Sequence, residues 1–358
     1  MRMTSSIDQI LIHHANAYPL MLPQDAVKLL YQSEFGPGHL VSDPVSSLQR
    51  LREEYSSVPH SPSSPLSEDI GNGLVRIHLS AIDPASLSLE QLNDCFVRSA
   101  EQHTGCRDSF LQKLNTLRSL TNRAVFSFSP VELEEYLTSY IASGFPAVSH
   151  SPRYRNAYQP AYRVVRRSCL PAYPIMADAL RSHPIPDQRP LLVAIDGRCA
   201  SGKTTLALQL QSNMGCSVVH MDDFFLRPEQ RTKQRYETPG ENVDHERFLD
   251  EVLLPLYQGK AVEYRPFNCS TQQLAAPVSF APTPIVVVEG SFSCHPNLWP
   301  YYDLRCFLTL SPEKQMQRIV AREGAEYAEV FRTKWIPLEE AYFSTYHLTS
   351  ECDFLFEY

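Results

Sequence analysis

The stretch IDGRCASGKTTL, residues 195–206, holds a glycine, four further residues and then Gly-Lys-Thr. That spelling turns up by chance in about one chain in a hundred of this length, so its surroundings decide how it reads. Immediately before it, LLVAIDG (191–197) is short and almost wholly apolar, the pattern of a strand buried on both faces. Immediately after, GKTTLALQLQSN (202–213) has the composition of a helix. A strand, a small-residue loop and a helix are the setting a phosphate-binding loop requires. Small side chains let successive backbone N–H groups converge on phosphate oxygens, and the helix start adds the positive end of its dipole. The candidate cradle is therefore Gly197, Arg198, Cys199, Ala200, Ser201, Gly202, Lys203, Thr204 and Thr205. In it Lys203 would reach β- and γ-phosphates, and the Thr204 hydroxyl would ligate Mg²⁺.

Downstream the pattern repeats. SVVHMDDFF (217–225), IVVVEGSF (285–292) and LRCFLTL (304–310) read as strands, with helices predicted over ERFLDEVLLPLYQG (246–259) and SPEKQMQRIVARE (311–323). Apolar strands alternating with helices predict a parallel sheet covered on both faces, the α/β class of a P-loop NTPase. Asp222 and Asp223 end one predicted strand and Glu289 ends another, and the carboxyl ends of neighbouring parallel strands line the ligand crevice of such a sheet. Carboxylates crowded there need a cation or a proton to compensate them. Glu289 and Asp222 are metal-side candidates with Thr204, and Asp222 can also accept a proton from an attacking hydroxyl. Asp223 reads equally well as a cap. Arg318 and Arg322 lie four apart on one predicted helix, with Arg332 in the next segment. Such cations can clamp a transferring phosphoryl group, or simply form a charged helix face beside Glu323 and Glu326.

Taken together, IDGRCASGKTT, HMDDFF, NVDHERF, VVVEGSF and QRIVARE, in that order over residues 190–358, resemble the uridine kinase and phosphoribulokinase-like branch of P-loop kinases. The resemblance implies a five-stranded parallel sheet, a mobile lid, ATP with Mg²⁺, and phosphorylation of a hydroxyl on a small molecule, a nucleoside first. It assigns Asp222 as general base, Glu289 to the Mg²⁺ side, Asp244 to ribose hydroxyls, and Arg318 and Arg322 to the lid. The base-reading segment, VEYRPFNCSTQQL (262–274), departs from the family's pattern and offers Arg265 and Phe267 as acceptor contacts. The basic stretch at 226–244 suits an anionic acceptor as readily as a neutral one. A sugar phosphate or a hydroxy acid therefore stays open as acceptor, as does a regulatory ATP-binding protein without kinase turnover.

The first half reads differently. It is mainly helical α+β: PVSSLQRLREEY (44–55) puts Val45, Leu48 and Leu51 on one face, and RDSFLQKLNTLRSL (107–120) does the same with Phe110, Leu114 and Leu117. PVELEEYLTSYIASG (130–144) opens on proline and closes on glycine, as helices do, and LVRIHLS (74–80) predicts a strand. QSEFGPGHLVSD (32–43) groups Glu34, two glycines and His39 in a predicted loop. SPRYRNAYQPAYRVVRR (151–167) interleaves five arginines with three tyrosines, which reads first as a packed surface and second as a phosphate or single-strand binder. The change of character sets a mainly helical domain at 1–183, a proline-rich linker at 184–190 and a P-loop kinase domain at 191–358.

Composition narrows the classes. A net charge of −8 over 358 residues argues against a nonspecific nucleic-acid or anionic-membrane partner. The longest apolar runs, about five residues, are far below a membrane span. Nine scattered cysteines with no C-x-x-C pair fit thiols kept reduced in a cytosol, and His13 and His14 interrupt the only apolar stretch near the N-terminus. A cytoplasmic protein with a small-molecule partner is the expectation; oligomeric state is not legible.

Overall fold

The computed structural model describes residues 6–38, 43–61 and 64–358, so His39 lies outside the described residues. The chain divides into two compact units, Met1–Asp178 and Ala179–Tyr358.

In the first unit, helices α1 (Ile7–Ala17), α2 (Pro23–Phe35) and α3 (Pro44–Ser57) precede strands β1 (Ser67–Gly71) and β2 (Leu74–His78). Helices α4 (Leu89–Gln102), α5 (Arg107–Asn122), α6 (Pro130–Ala142) and α7 (Pro152–Tyr158) follow, then strand β3 (Tyr162–Arg166); the division after Asp178 falls within helix α8 (Ala172–Ser182). Local chemistry sets several helix starts. The hydroxyls of Ser6, Ser88 and Ser129 each accept the N–H three residues on, and the Gln or Glu there accepts the serine's own N–H. The strands form an antiparallel sheet in the order β1-β2-β3. Asn72 and Gly73, with φ of 55° and 71°, make the left-handed two-residue turn that joins β1 to β2.

The face of α5 expected to be apolar is the one buried: Phe110, Leu114 and Leu117 pack with Leu11, Leu29 and Leu30 in the core. Each such side chain contributes about 1.5–3 kcal/mol by leaving water. On α3 the predicted stripe is only half realised. Leu51 is buried, but Val45, in the first turn beside the Asp43 cap, is 78% exposed. The arginine–tyrosine stretch divides into α7 and β3, with Tyr154 buried and Arg163 paired with Glu54 at 2.7 Å.

The second unit opens with β4 (Leu191–Gly197), α9 (Lys203–Met214), β5 (Ser217–His220), α10 (Lys233–Glu237), α11 (His245–Phe248) and α12 (Leu254–Tyr257). Four short strands, β6 (Val262–Tyr264), β7 (Phe267–Asn268), β8 (Gln273–Leu274) and β9 (Val278–Phe280), form two antiparallel ribbons, β6 with β9 and β7 with β8. Then come β10 (Ile285–Glu289), β11 (Leu304–Thr309), α13 (Pro312–Glu323), α14 (Ala325–Val330), α15 (Ile336–Thr345), α16 (Leu348–Glu351) and β12 (Phe354–Glu357). Five strands make a parallel sheet in the order β12-β11-β4-β10-β5. The central strand, β4, is buried at all seven positions, as its unbroken apolar run predicts.

Two predicted spans change. The strand expected over 217–225 stops at His220, and Met221–Phe224 turn into a 3₁₀ helix, so Asp222 and Asp223 lie beyond the strand rather than at its end. The helix expected over 246–259 widens into a π-turn at Leu249–Leu253, and a second π-turn spans Phe331–Trp335. Each stands just ahead of a proline, Pro255 or Pro337, whose missing N–H removes a rung of the α ladder.

Candidate active site

The chain leaves β4 at Gly197 beside Leu308 of β11, so closely that a Cβ on Gly197 would lie 2.0 Å from the Leu308 carbonyl oxygen. Gly197 also has φ of +137°, which only glycine adopts without strain. Ala200 (φ 61°) and Gly202 (φ 103°) turn the loop further and launch α9. The loop fits a nucleotide's phosphates on its own terms. Among the described residues the buried Ser201 hydroxyl finds no hydrogen-bond partner, and the first-turn N–H groups of α9 have no acceptor within the helix.

Lys203 is buried and folds back over the loop, its Nζ donating to the Gly197 carbonyl at 2.7 Å and the Arg198 carbonyl at 3.0 Å. The Thr204 hydroxyl lies 3.1 Å from Glu289 Oε2, on the neighbouring strand β10. The register that sets Glu289 opposite both Ile195 and His220 brings β4, β10 and β5 to one edge. There the Glu289 carboxylate also takes the His220 Nδ1 at 2.6 Å. That bond, with the carboxylate's charge, raises the His220 imidazole above its ordinary value. Asp222 comes to the same place: a Cβ on Gly290 would lie 3.5 Å from its Oδ1. The protein crowded around Asp222 raises its carboxyl above the usual range and Glu289 adds to this, while Lys203 opposes it. Asp222 nevertheless keeps an exposed face, so water screens part of the effect.

Three groups that the motifs did not single out hold this edge together. Asp196, fully buried, accepts the N–H groups of Gly197 (2.6 Å) and Cys294 (2.9 Å) and the Tyr342 hydroxyl (2.9 Å). Its burial pushes the carboxyl up to about 6. Glu339 on α15 accepts the Cys199 N–H at 3.0 Å and the Ser291 hydroxyl at 2.7 Å, and Glu340 pairs with Arg198 at 2.6 Å. Asp196 and His220 stood beside recognised motif residues; Glu339 and Glu340 lie some 140 residues from their loop partners Cys199 and Arg198, and nothing local marks them.

The arginines separate. Arg318 Nη1 donates to the Ala200 carbonyl in the loop at 3.2 Å. Arg322 bonds Glu323 at 2.7 Å and lies over the Phe331 ring, and Arg332 bonds Glu329 at 2.8 Å, both exposed. Of the expected acceptor contacts, Asp244 is buried as the cap of α11, accepting the Arg247 N–H at 3.3 Å and the Gln230 amide at 2.9 Å. Arg265 donates to the Leu274 and Ala275 carbonyls, and Phe267 is buried with Arg231 over its ring. Asp223 accepts the Tyr264 hydroxyl at 2.9 Å, which ties it to the β6 ribbon.

Near the acceptor segment, Glu241, His245 and His295 bring potential metal-ligand atoms within 4.8 Å of one another. The two imidazoles stack at 4.0 Å and 12°, so their in-plane lone pairs run side by side rather than converging on one ion.

No family model matches the chain. Among solved structures it is similar to a possible uridine kinase from Bacillus stearothermophilus, at 19% identity over 51% of this chain and 96% of that one, TM-score 0.40. It is also similar to a protein named as a fructose transport system kinase from a Silicibacter species, at 20% identity over 52% and 99%, TM-score 0.42. A third is a D-glycerate 3-kinase from Cryptococcus neoformans, at 16% identity over 46% and 83%, TM-score 0.34. Each of these matches spans about half of this chain, and the three proteins are named as kinases of different small molecules.

Proposed function

We propose that residues 179–358 form an ATP-dependent kinase that phosphorylates a hydroxyl group of a small molecule. The observation that carries this reading is the meeting of Lys203, Thr204, Glu289 and Asp222 at the ends of three neighbouring parallel strands. A purely structural arrangement has no use for two crowded carboxylates beside a glycine-shaped, donor-rich loop.

In this reading the loop from Gly197 to Thr205 binds the β- and γ-phosphates, and Lys203 swings from the loop carbonyls to the phosphate oxygens. Thr204 and Glu289 hold Mg²⁺, which when bound offsets phosphate charge. Asp222, with its raised affinity for a proton, accepts the proton of the attacking hydroxyl. Arg318, already touching the loop, faces the charge that spreads over the transferring group. Asp196 and Glu339 hold the loop in shape throughout.

Acceptor-dependent ADP release, screened over nucleosides, sugars, sugar phosphates and small hydroxy acids, tests the proposal. Turnover with at least one acceptor, lost in Lys203→Ala, supports it. Tight ATP binding with no acceptor-dependent release from any class would instead make this unit a nucleotide sensor. A nucleoside is the first acceptor to try, because the sequence resemblance carries the family's ribose-binding aspartate onto Asp244 in NVDHERF.

A further inference from the structure

The first unit holds a cavity of about 260 Å³ whose floor is charged although it is buried. Glu68 and Arg76 line it, and they are 8% and 2% exposed. They stand directly opposite each other on β1 and β2, with Arg76 Nη1 donating to Glu68 Oε2 at 3.2 Å. Buried ion pairs are weak stabilisers, since apolar side chains of the same size serve as well or better, so a pair kept at the floor of a cavity calls for a use.

The pair is aimed by a chain of side chains brought together from across the unit. Asp25 accepts the Leu22 N–H and the Ser151 N–H and hydroxyl; its Oδ1 also meets His150 Nδ1 at 3.1 Å, and His150 Nε2 meets the Tyr162 hydroxyl at 2.7 Å. That hydroxyl also lies 3.2 Å from Gln32 Oε1. The same Gln32 oxygen accepts Arg76 Nε at 3.2 Å and Nη2 at 2.9 Å. The guanidinium thus uses three of its five N–H groups on Gln32 and Glu68 and keeps donors on both Nη atoms. Glu68 bonds Arg76 and Tyr18 and also faces His14 Nδ1 at 3.5 Å and His78 Nε2 at 3.9 Å, and its two carboxylate oxygens have acceptor capacity beyond those bonds. A donor and an acceptor stand side by side.

Three further features define what fits. Tyr18, Tyr158 and Tyr162 line the walls, and aromatic faces bind flat molecules by stacking. The floor carries no net charge: Arg76 offsets Glu68, and burial holds His14 down to about 4 and keeps His78 low, so both imidazoles are neutral at pH 7. The volume equals roughly nine waters at about 30 Å³ each, room for one or two small rings.

We propose that this cavity is a second ligand site, separate from the phosphate loop, for a small, flat, uncharged molecule with neighbouring N–H and C=O groups, a nucleobase in size and kind. The ligand's carbonyl takes an Arg76 N–H, its N–H meets Glu68, and its faces lie against the tyrosines. An ionic ligand would bring into the cavity a charge that the balanced pair cannot compensate.

Calorimetric titration of the full chain with uracil and hypoxanthine tests this. At least one should bind with a dissociation constant of about 1 mM or tighter, and orotate, a charged uracil, at least tenfold more weakly. Ser80→Phe, which fills the cavity from its lining, should weaken binding by roughly tenfold or more while the unfolding midpoint is kept. If that variant does not fold, Tyr158→Ala takes its place with the same expectation. Ser80 and Tyr158 both belong to the first unit, so loss of binding in these variants separates this site from the kinase acceptor site. Failure of both bases to bind, binding unmoved by the cavity variants, or orotate binding equally well overturns the proposal.

Discussion

The phosphate-loop edge of the second unit and the polar floor of the first use the same residue types in opposite ways. At the loop, nine consecutive residues, Gly197 to Thr205, supply the cradle, Asp222 keeps an exposed face beside it, and the buried Lys203 rests on carbonyls it can leave. In the first unit, Asp25, Gln32, Glu68, Arg76, His150 and Tyr162 come from four helices or strands and the segments between them, and they bond one another. The first arrangement stores little stability in its charges and is free to change partners. The second is an internal lattice, in which removing one member strands the next.

That contrast predicts where substitutions act. The largest effects belong to the loop edge and fall on turnover. Lys203→Ala should lower acceptor-dependent ADP release by about 10³-fold or more, and Asp222→Asn by up to about 10⁴-fold, with unfolding midpoints near that of the parent. Near-normal kcat in Asp222→Asn would remove it as the base.

Next comes Glu68→Ala. It leaves the Arg76 guanidinium buried without its partner, at a cost of about 3–5 kcal/mol in urea unfolding of the first unit. A loss under about 1 kcal/mol would mean that water replaces the carboxylate and that the lattice description is wrong.

Smaller again, Arg318→Ala should reduce kcat about 10²-fold with little change in KM for ATP, because its contact gains strength only as charge spreads in transfer. Arg322→Ala, whose guanidinium already has Glu323 and Phe331, should cost less than Arg318→Ala. Steady-state kinetics in which Arg322→Ala is the more damaging would reverse the assignment and imply that this helix moves on substrate binding.

Asp196→Asn sharpens the comparison from the other side, since Asp196 is a lattice residue beneath the loop. An amide there can accept at one oxygen only and turns an NH₂ toward the Cys294 N–H or the Gly197 N–H. About 1–3 kcal/mol of stability should be lost, read by denaturant titration of the second unit.

The smallest effect is a pH dependence. His220 has its folded-state pKa raised by Glu289, so their pairing contributes stability that is complete below about pH 6.5 and fades as pH rises through the higher folded value. An NMR titration of His220 reads this directly. Adding Mg²⁺ with ATP should pull the His220 pKa back down, because a cation on the Glu289 oxygens competes with the imidazole. An unchanged titration would mean that Glu289 is not on the metal side.

How much of this could be read beforehand follows from distance along the chain. The loop, its flanking strand and helix, and the buried face of α5 all depend on residues within a few turns of one another, and the spelling carries them. The ends of the predicted elements depend on less local facts. Val45 is apolar at the right spacing, yet it sits in the first turn of α3 and stays in water. The strand predicted through Phe225 breaks at His220, where pairing with β10 ends at Glu289.

The sequence by itself determined the parallel sheet around a phosphate loop, because apolar run length, glycine placement and the Gly-Lys-Thr spelling act through neighbouring backbone groups. It also determined which residues could carry charge to that edge. Only the tertiary structure decided that Arg318 rather than Arg332 touches the loop, that Glu339 and Glu340 grip it from α15, and that Glu68 and Arg76 share the floor of a cavity. Those outcomes depend on strand register and helix packing, which bring together side chains far apart in the chain, and no local pattern records which distant partner a buried charge will find.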